Sequence, residues 1–379
     1  MAFEALVAEL QVEFFADDLD PPPGAEHWSA ADLRLYYETG GAHAPTAEHA
    51  LLDEWGSERW TAAVQKALPA VGQGAWLPGE EAGRRRGCGQ PNPEARVRLY
   101  LLYGVADVSL SLQKFVAAAP PWVEVRLVEF GGHGFRSKEP LSPAADSQPQ
   151  LTVQQLQQQR ADFIAQLADD IEPTVGGAPY ALYGFSFGAL VAYELALELQ
   201  RRALSPPLLL AVAGRGAPHC VSMGWPTISN FAALPAKGVL DWMRGLGFNT
   251  SNIPQSMHQR AASLFRMGMI LGAMPSGSSE KPTLQASLNG TTVEQKAQFP
   301  HTDTAACVGC KVLAFGSDAD TIWPAVLVPR WQDVTKDGFR FTRFQDVEHH
   351  ALMCHRTVMA QTFGELAVAT ARLLDAMQK

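Results

Sequence analysis

The chain of 379 residues contains no apolar run approaching the roughly 18 residues that a membrane-spanning helix needs. Its longest runs, such as Leu208–Ala213, are strand-sized. A basic, acid-free leader is also missing, because Glu4, Glu9 and Glu13 stand among the first apolar residues, so a cytoplasmic protein with no membrane span is expected. Positive charge is scarce: 30 Lys and Arg face 39 Asp and Glu, for a net charge of −9. A polyanion would be repelled at long range, which excludes nucleic acid as an expected partner. The five cysteines, an odd number in a long chain, make no disulfide framework. Cys307 and Cys310 form one C-x-x-C with no second pair at matching spacing, so no metal site is expected and the pair reads as loop before a strand. What the chain does have is 47% hydrophobic and 18% charged residues, enough for one large core with a smaller appendage and incompatible with a wholly disordered chain.

The acidity is concentrated at the front. Residues 1–95 hold 16 acids and six bases, leaving the other 284 residues close to neutral. Residues 1–78 read as a mostly helical extension, with Ser29–Tyr37 as one helix and Ser29 as its N-cap. Trp28, Trp55, Trp60 and Trp76 indicate a segment that packs rather than floats. The Gly/Pro-rich stretch 79–95, with Arg84, Arg85 and Arg86, reads as a linker. From Arg96 onward strands alternate with helices: Val97–Tyr103, helix Leu110–Ala118, Val123–Glu129, helix Thr152–Ile171, Tyr180–Tyr183, helix Ala189–Leu199, Pro207–Ala213. Alternation of this kind predicts an α/β fold with a doubly wound, mostly parallel sheet over residues 96–379.

Between the strand at Tyr180 and the helix at Ala189 lies Gly184-Phe185-Ser186-Phe187-Gly188. A serine on a sharp strand-to-helix turn needs small neighbours, since the backbone is strained and other chain segments come close, hence G-x-S-x-G. Such a serine requires a base and an orienting acid, following it in the order acid, then histidine. The strand Lys311–Phe315 leads into Asp318 and Asp320, and the strand Phe339–Phe344 leads into His349 and His350. Residue chemistry alone does not choose within either pair. His133 precedes the serine; His219 and His301 read as loop residues.

Residues 96–375 resemble the type II thioesterases, stand-alone α/β-hydrolases of polyketide, nonribosomal peptide and fatty acid synthesis. The likeness rests on Tyr103–Ser109, Gly131–Arg136 with Glu139-Pro140, Gly184–Glu194, Gly214–His219, and Trp331 with Glu348-His349, in that order. The resemblance implies Asp320, which precedes Trp331 by the family's spacing, as the acid, and His349 as the base. It implies the backbone N–H groups of Phe187 and Gly104 as the oxyanion hole. This sequence departs from the family at Phe185, Val105, Ala106 and Glu348.

The function so implied is hydrolysis of an acyl thioester through an acyl-Ser186 intermediate. The substrate would be acyl carrier protein or acyl-CoA, whose phosphopantetheine arm belongs to the substrate, and no cofactor is expected. Alternatives are a carboxylesterase for oxygen esters, or a weakly catalytic module that docks on a synthase, with the acidic N-terminal segment as the contact. The detour of about 95 residues between Ala213 and Lys311 is where this fold inserts a helical lid, within about 220–300. Amphipathic helices are predicted at Gly238–Leu246 and Gln259–Leu271. Six of the ten methionines fall there: Met223, Met243, Met257, Met267, Met269 and Met274. Methionine adapts to irregular apolar shapes, so Met243, Met267 and Met269 are candidate linings of an acyl pocket.

Overall fold

The structure, a computed structural model, describes residues 7–8, 55–72, 75, 77–85, 92–141, 153–220, 231–246, 248, 250–273 and 307–378. The helix expected at Ser29–Tyr37, and Trp76, Arg86, Met223, Met274 and His301, lie outside the described residues. Six strands form one sheet: β1 (Val97–Leu102), β2 (Val123–Leu127), β3 (Tyr180–Phe185), β4 (Leu209–Ala213), β5 (Lys311–Ser317) and β6 (Phe339–Phe344). Their order is β2-β1-β3-β4-β5-β6 and every pair is parallel. Strands β1 to β4 are buried at every position, as helices on both faces require. This is the doubly wound sheet of an α/β-hydrolase.

The helices are α1 (Glu58–Ala67), α2 (Glu80–Arg84), α3 (Gln113–Ala118), α4 (Val153–Val175), α5 (Phe187–Arg201), α6 (Ala236–Gly245), α7 (His258–Ala273), α8 (His349–Leu352) and α9 (Arg356–Met377). The helix expected over Leu110–Ala118 opens instead as a 3-10 turn, Ser109–Leu112. Its first residue is held sideways, because the Ser109 amide and hydroxyl both donate to the buried Glu129 carboxylate. Helix α9 was not visible in the pattern, since Thr357, Val358, Thr362 and Thr370 are poor helix formers. Packing overrides that preference, and the Thr362 and Thr370 hydroxyls satisfy themselves by donating to the carbonyls of Val358 and Leu366, both at 2.7 Å.

The described front residues are packed on the β1–β2 side of the sheet. Ser57 caps α1 by accepting from the Trp60 amide at 3.1 Å. Trp60 and Val64 then face inward, and Trp60 meets Trp122 edge-on. Trp122 Nε1 donates to the Trp55 carbonyl at 2.8 Å. The stretch read as a linker is bound to the body where it is described. Arg98 on β1 pairs with Glu124 on β2 in full burial and sends Nη2 to the carbonyls of Val71 and Gly72. Arg126 is tied to Glu80, the first residue of α2, at 2.5 Å. Buried arginines need acceptors, and the front segment supplies them, Val71 and Gly72 from the extension and Glu80 from the linker stretch.

With all strands parallel, their carboxyl ends share one rim. The chain leaves β1 toward β2 and returns on the other side of β1 as β3, so the order reverses between β1 and β3. Loops diverge at such a switch point and open a crevice. Gly104 follows β1 and Ser186 follows β3, which puts both at that crevice. The insertion between β4 and β5 contributes α6 and α7, which pack together as the helical lid above it.

Candidate active site

The turn at Ser186 is dictated by its flanks. A Cβ on Gly184 would lie 2.3 Å from the Gly188 carbonyl oxygen, and one on Gly188 would lie 2.4 Å from that of Leu102. Both obstacles are backbone, so neither position accepts a side chain. Ser186 itself has φ 52° and ψ −116°, a region that costs an L-residue about 1–3 kcal/mol. Its amide is anchored to the Ala213 carbonyl at 2.8 Å. The turn thereby presents the hydroxyl above the first turn of α5.

Asp320 and His349 reach this hydroxyl from the ends of β5 and β6. His349 Nε2 lies 3.1 Å from Ser186 Oγ, and His349 Nδ1 lies 2.7 Å from Asp320 Oδ2. A carboxylate accepts only, so Nδ1 carries the proton and Nε2 is left to accept from the serine. The other carboxylate oxygen, Oδ1, accepts from the amides of Ile322 and Trp323, both at 2.9 Å. All three side chains are buried, with Ser186 7% exposed. The competing residues are elsewhere: Asp318 is on the surface, paired with Arg343 at 2.7 Å. His350 sits at the cavity wall with its ring 4.6 Å from Phe248, and burial, then the neighbouring His349, hold its pKa below the usual value. His219 pairs with Asp333, and His133 is buried with Nδ1 at the Gly131 carbonyl.

A cavity of about 230 Å³ opens over Ser186, between the loop Gly104–Asp107 and the lid. Of the three methionines expected to line it, only Met269 does. Met243 and Met267 are buried in the core, 4% and 1% exposed, and are absent from the cavity wall. Met267 and Met269 are two residues apart on one helix, about 200° around its axis, so both cannot face the same space. The wall instead includes Gly268 and Gly272, one turn apart on α7. A Cβ on Gly268 would fall 2.9 Å from Val105 Cγ1, and one on Gly272 would fall 3.1 Å from Phe187 Cδ2. Glycine at both positions lets the lid helix rest directly on the two loops that carry the expected oxyanion amides, Gly104 and Phe187. The sequence contains that signal, Gly-x-x-x-Gly within an apolar helix, at Gly268 and Gly272. Phe248, Trp323 and Arg215 also line the cavity. The family departures at Phe185 and Ala106 are accommodated here. The Phe185 ring stacks 4.9 Å from His349, and Ala106 takes a left-handed φ of 57°. Among the described residues no cluster of His, Cys, Asp and Glu could hold a metal, and no helix is long and apolar enough to cross a membrane.

No curated protein sequence matches the chain. Its structure is similar to the thioesterase RedJ of the prodiginine biosynthetic pathway in Streptomyces coelicolor, with 20% identity, TM-score 0.53, and coverage of 74% of this chain and 88% of that one. It is also similar to ClbQ of the colibactin NRPS/PKS pathway, at 18% identity and TM-score 0.54, covering 75% of this chain and 100% of that one. A third neighbour is YbtT, a type II thioesterase of the yersiniabactin NRPS/PKS pathway, at 17% identity and TM-score 0.51, covering 71% and 92%. These likenesses carry the fold. The thioesterase domain model, which matches residues 113–365, spans Ser186, Asp320 and His349 together. By that match over most of its length, the chain belongs to the thioesterase domain family.

Proposed function

We infer that the protein hydrolyses acyl thioesters through an acyl-Ser186 intermediate, and that its substrates are acyl chains borne on a carrier protein or on coenzyme A. The observation that carries this reading is the continuous hydrogen-bond chain from Ser186 through His349 to Asp320 at a cavity that Ser186 and His349 line. Ser186 Oγ attacks the thioester carbonyl carbon while His349 Nε2 takes its proton. The Asp320 carboxylate keeps the imidazole oriented and stabilises the imidazolium. The tetrahedral oxyanion is received by the amides of Phe187 and Gly104, each worth about 3 kcal/mol in comparable sites. The C–S bond then breaks, and the thiol leaves with the proton held by His349; a thiol pKa of about 8.5 makes that departure easier than loss of an amine. Water, deprotonated by the same histidine, attacks the acyl-serine carbonyl and releases the free acid and Ser186.

The neighbours from polyketide and nonribosomal peptide pathways support a carrier-bound substrate. The test is free-acid release from a panel of acyl-carrier and acyl-CoA thioesters by the wild type and Ser186→Ala. The expected result is turnover by the wild type and none above background by the variant. Turnover of matched oxygen esters with no turnover of thioesters would make the protein a carboxylesterase. Failure of Ser186 to react with a fluorophosphonate probe would leave the docking module as the surviving account.

A further inference from the structure

One charged side chain in the cavity wall has no part in the steps above. Arg215 follows Gly214, whose φ of 62° turns the chain at the end of β4, and it is 4% exposed. Its main-chain carbonyl accepts from Trp331 Nε1 at 2.8 Å, which fixes the backbone. Its guanidinium lies 4.6 Å over the Trp323 ring, and Nη2 donates to the Gly272 carbonyl near the end of α7. Nε has no hydrogen-bond partner among the described residues, and no carboxylate of theirs lies within ion-pair distance of the guanidinium. Four other buried arginines each have a carboxylate partner. Arg98, Arg126, Arg136 and Arg160 pair with Glu124, Glu80, Asp170 and Glu194.

A buried guanidinium without a counter-ion is costly unless something completes it. Burial, and then the charge of Arg160, pull Arg215 down to about 9 against the opposing pull of the Glu194 carboxylate, which is itself paired with Arg160, so Arg215 remains a cation at neutral pH. The one carboxylate in the cavity wall, Asp107, is engaged on its own loop by the Ser111 hydroxyl and the Val108 amide. Arg215 and Ser186 line the same cavity, and Arg215 Nη1 lies against α7, 3.5 Å from where a Cβ on Gly272 would stand. Nε is sealed from the cavity, which leaves Nη1, with no hydrogen-bond partner among the described residues, as the charged donor for a carboxylate.

We propose that Arg215 binds a carboxylate on the acyl chain, so that the preferred substrates are mono-thioesters of short dicarboxylic acids. The small volume of the cavity sets the length, and the Arg215 cation in its wall sets the charge. This assignment rests on the thioesterase reading above, and its experiment separates the two.

The full-length protein is assayed with malonyl-CoA and succinyl-CoA against acetyl-CoA and butyryl-CoA. One charge-assisted hydrogen-bonded pair predicts a preference in kcat/KM of at least about tenfold for the carboxylate-bearing member of each pair. In Arg215→Met that ratio falls to within about threefold of one, and Arg215→Lys keeps part of it. Equal or better turnover of the uncharged thioesters by the wild type overturns the assignment and leaves the thioesterase reading standing; no turnover of any thioester overturns both. Because Arg215 also holds the Gly272 carbonyl, its variants are paired with a measurement on the wild type alone. Free succinate should inhibit hydrolysis competitively, with a Ki at least about tenfold below that of butyrate. Equal inhibition by the two acids overturns the proposal.

Discussion

At the scale of single residues, two positions carry backbone strain for opposite reasons. Ser186 holds φ 52° on the tight turn between β3 and α5, which raises its hydroxyl toward His349 as the proposed reaction requires. Ala106 holds φ 57° in the loop after β1, with no chemistry of its own. Ala106→Gly is therefore expected to stabilise the protein by about 0.5–1 kcal/mol, the relief of the left-handed penalty less the added freedom of the unfolded chain. Urea denaturation measures it, and a loss of stability would show that the methyl group packs more than the strain costs. Asp320 makes a sharper prediction. Asp320→Asn keeps the shape of the side chain but removes the acceptor that fixes the proton on His349 Nδ1. In serine hydrolases with this geometry the wrong tautomer costs about 10⁴-fold in kcat. Steady-state kinetics should show a loss of that order with the thermal midpoint nearly unchanged.

At the scale of elements, the lid helix α7 is set close to the catalytic loops by what it lacks. Glycine to alanine in a helix interior normally adds about 1 kcal/mol of stability. At Gly268 the new Cβ would meet Val105 Cγ1 at 2.9 Å and Cγ2 at 3.0 Å, contacts that force the lid and the Gly104 loop apart. Gly268→Ala should thus lower kcat/KM with no gain in the thermal midpoint, and adding Val105→Ala should restore both. A double-mutant cycle in which the two changes are strictly additive would place the lid elsewhere in solution. The same close approach explains why this wall was misjudged from sequence. Apolar composition identifies a helix as a lid component, whereas the face it turns to substrate depends on how the helix is rotated, a packing outcome.

At the scale of the whole molecule, the front segment is joined to the hydrolase body through aromatic and arginine contacts. Trp60→Ala would open a hole beside Trp122 and should cost about 3 kcal/mol by chemical denaturation, with the catalytic rate little altered, since α1 lies at the β1–β2 side. Stability should also depend on acid through His133, which is 2% exposed and whose pKa burial lowers from 6.5 to about 4. Between those values the unfolded chain binds a proton that the folded chain refuses, so stability falls as pH drops from about 6.5 to about 4 and levels off below, on account of this group. The full effect is about 3 kcal/mol, and His133→Gln should flatten the stability curve across that window. A curve unchanged by the substitution would mean that other groups dominate the acid limb.

The sequence by itself determined the sheet, the position of the serine turn and the order of serine, acid and histidine. Each of these is local: apolar strand runs, glycines forced by backbone collision, and polar residues just after strands. It also separated the acidic front segment from the near-neutral remainder. Residue chemistry left Asp318 with Asp320, and His349 with His350, as open pairs, because neighbours in sequence differ only in which direction the fold points them; the family resemblance alone favoured Asp320 and His349. Tertiary structure decided those pairs, sending Asp318 to Arg343 at the surface and Asp320 to His349. It also turned Met267 into the core and Gly268 toward Val105, tied Glu80 of the supposed linker to the buried Arg126, and left Arg215 in the cavity wall with no carboxylate partner among the described residues. All four depend on elements distant in the chain meeting in space, and no pattern within a single segment records such a meeting.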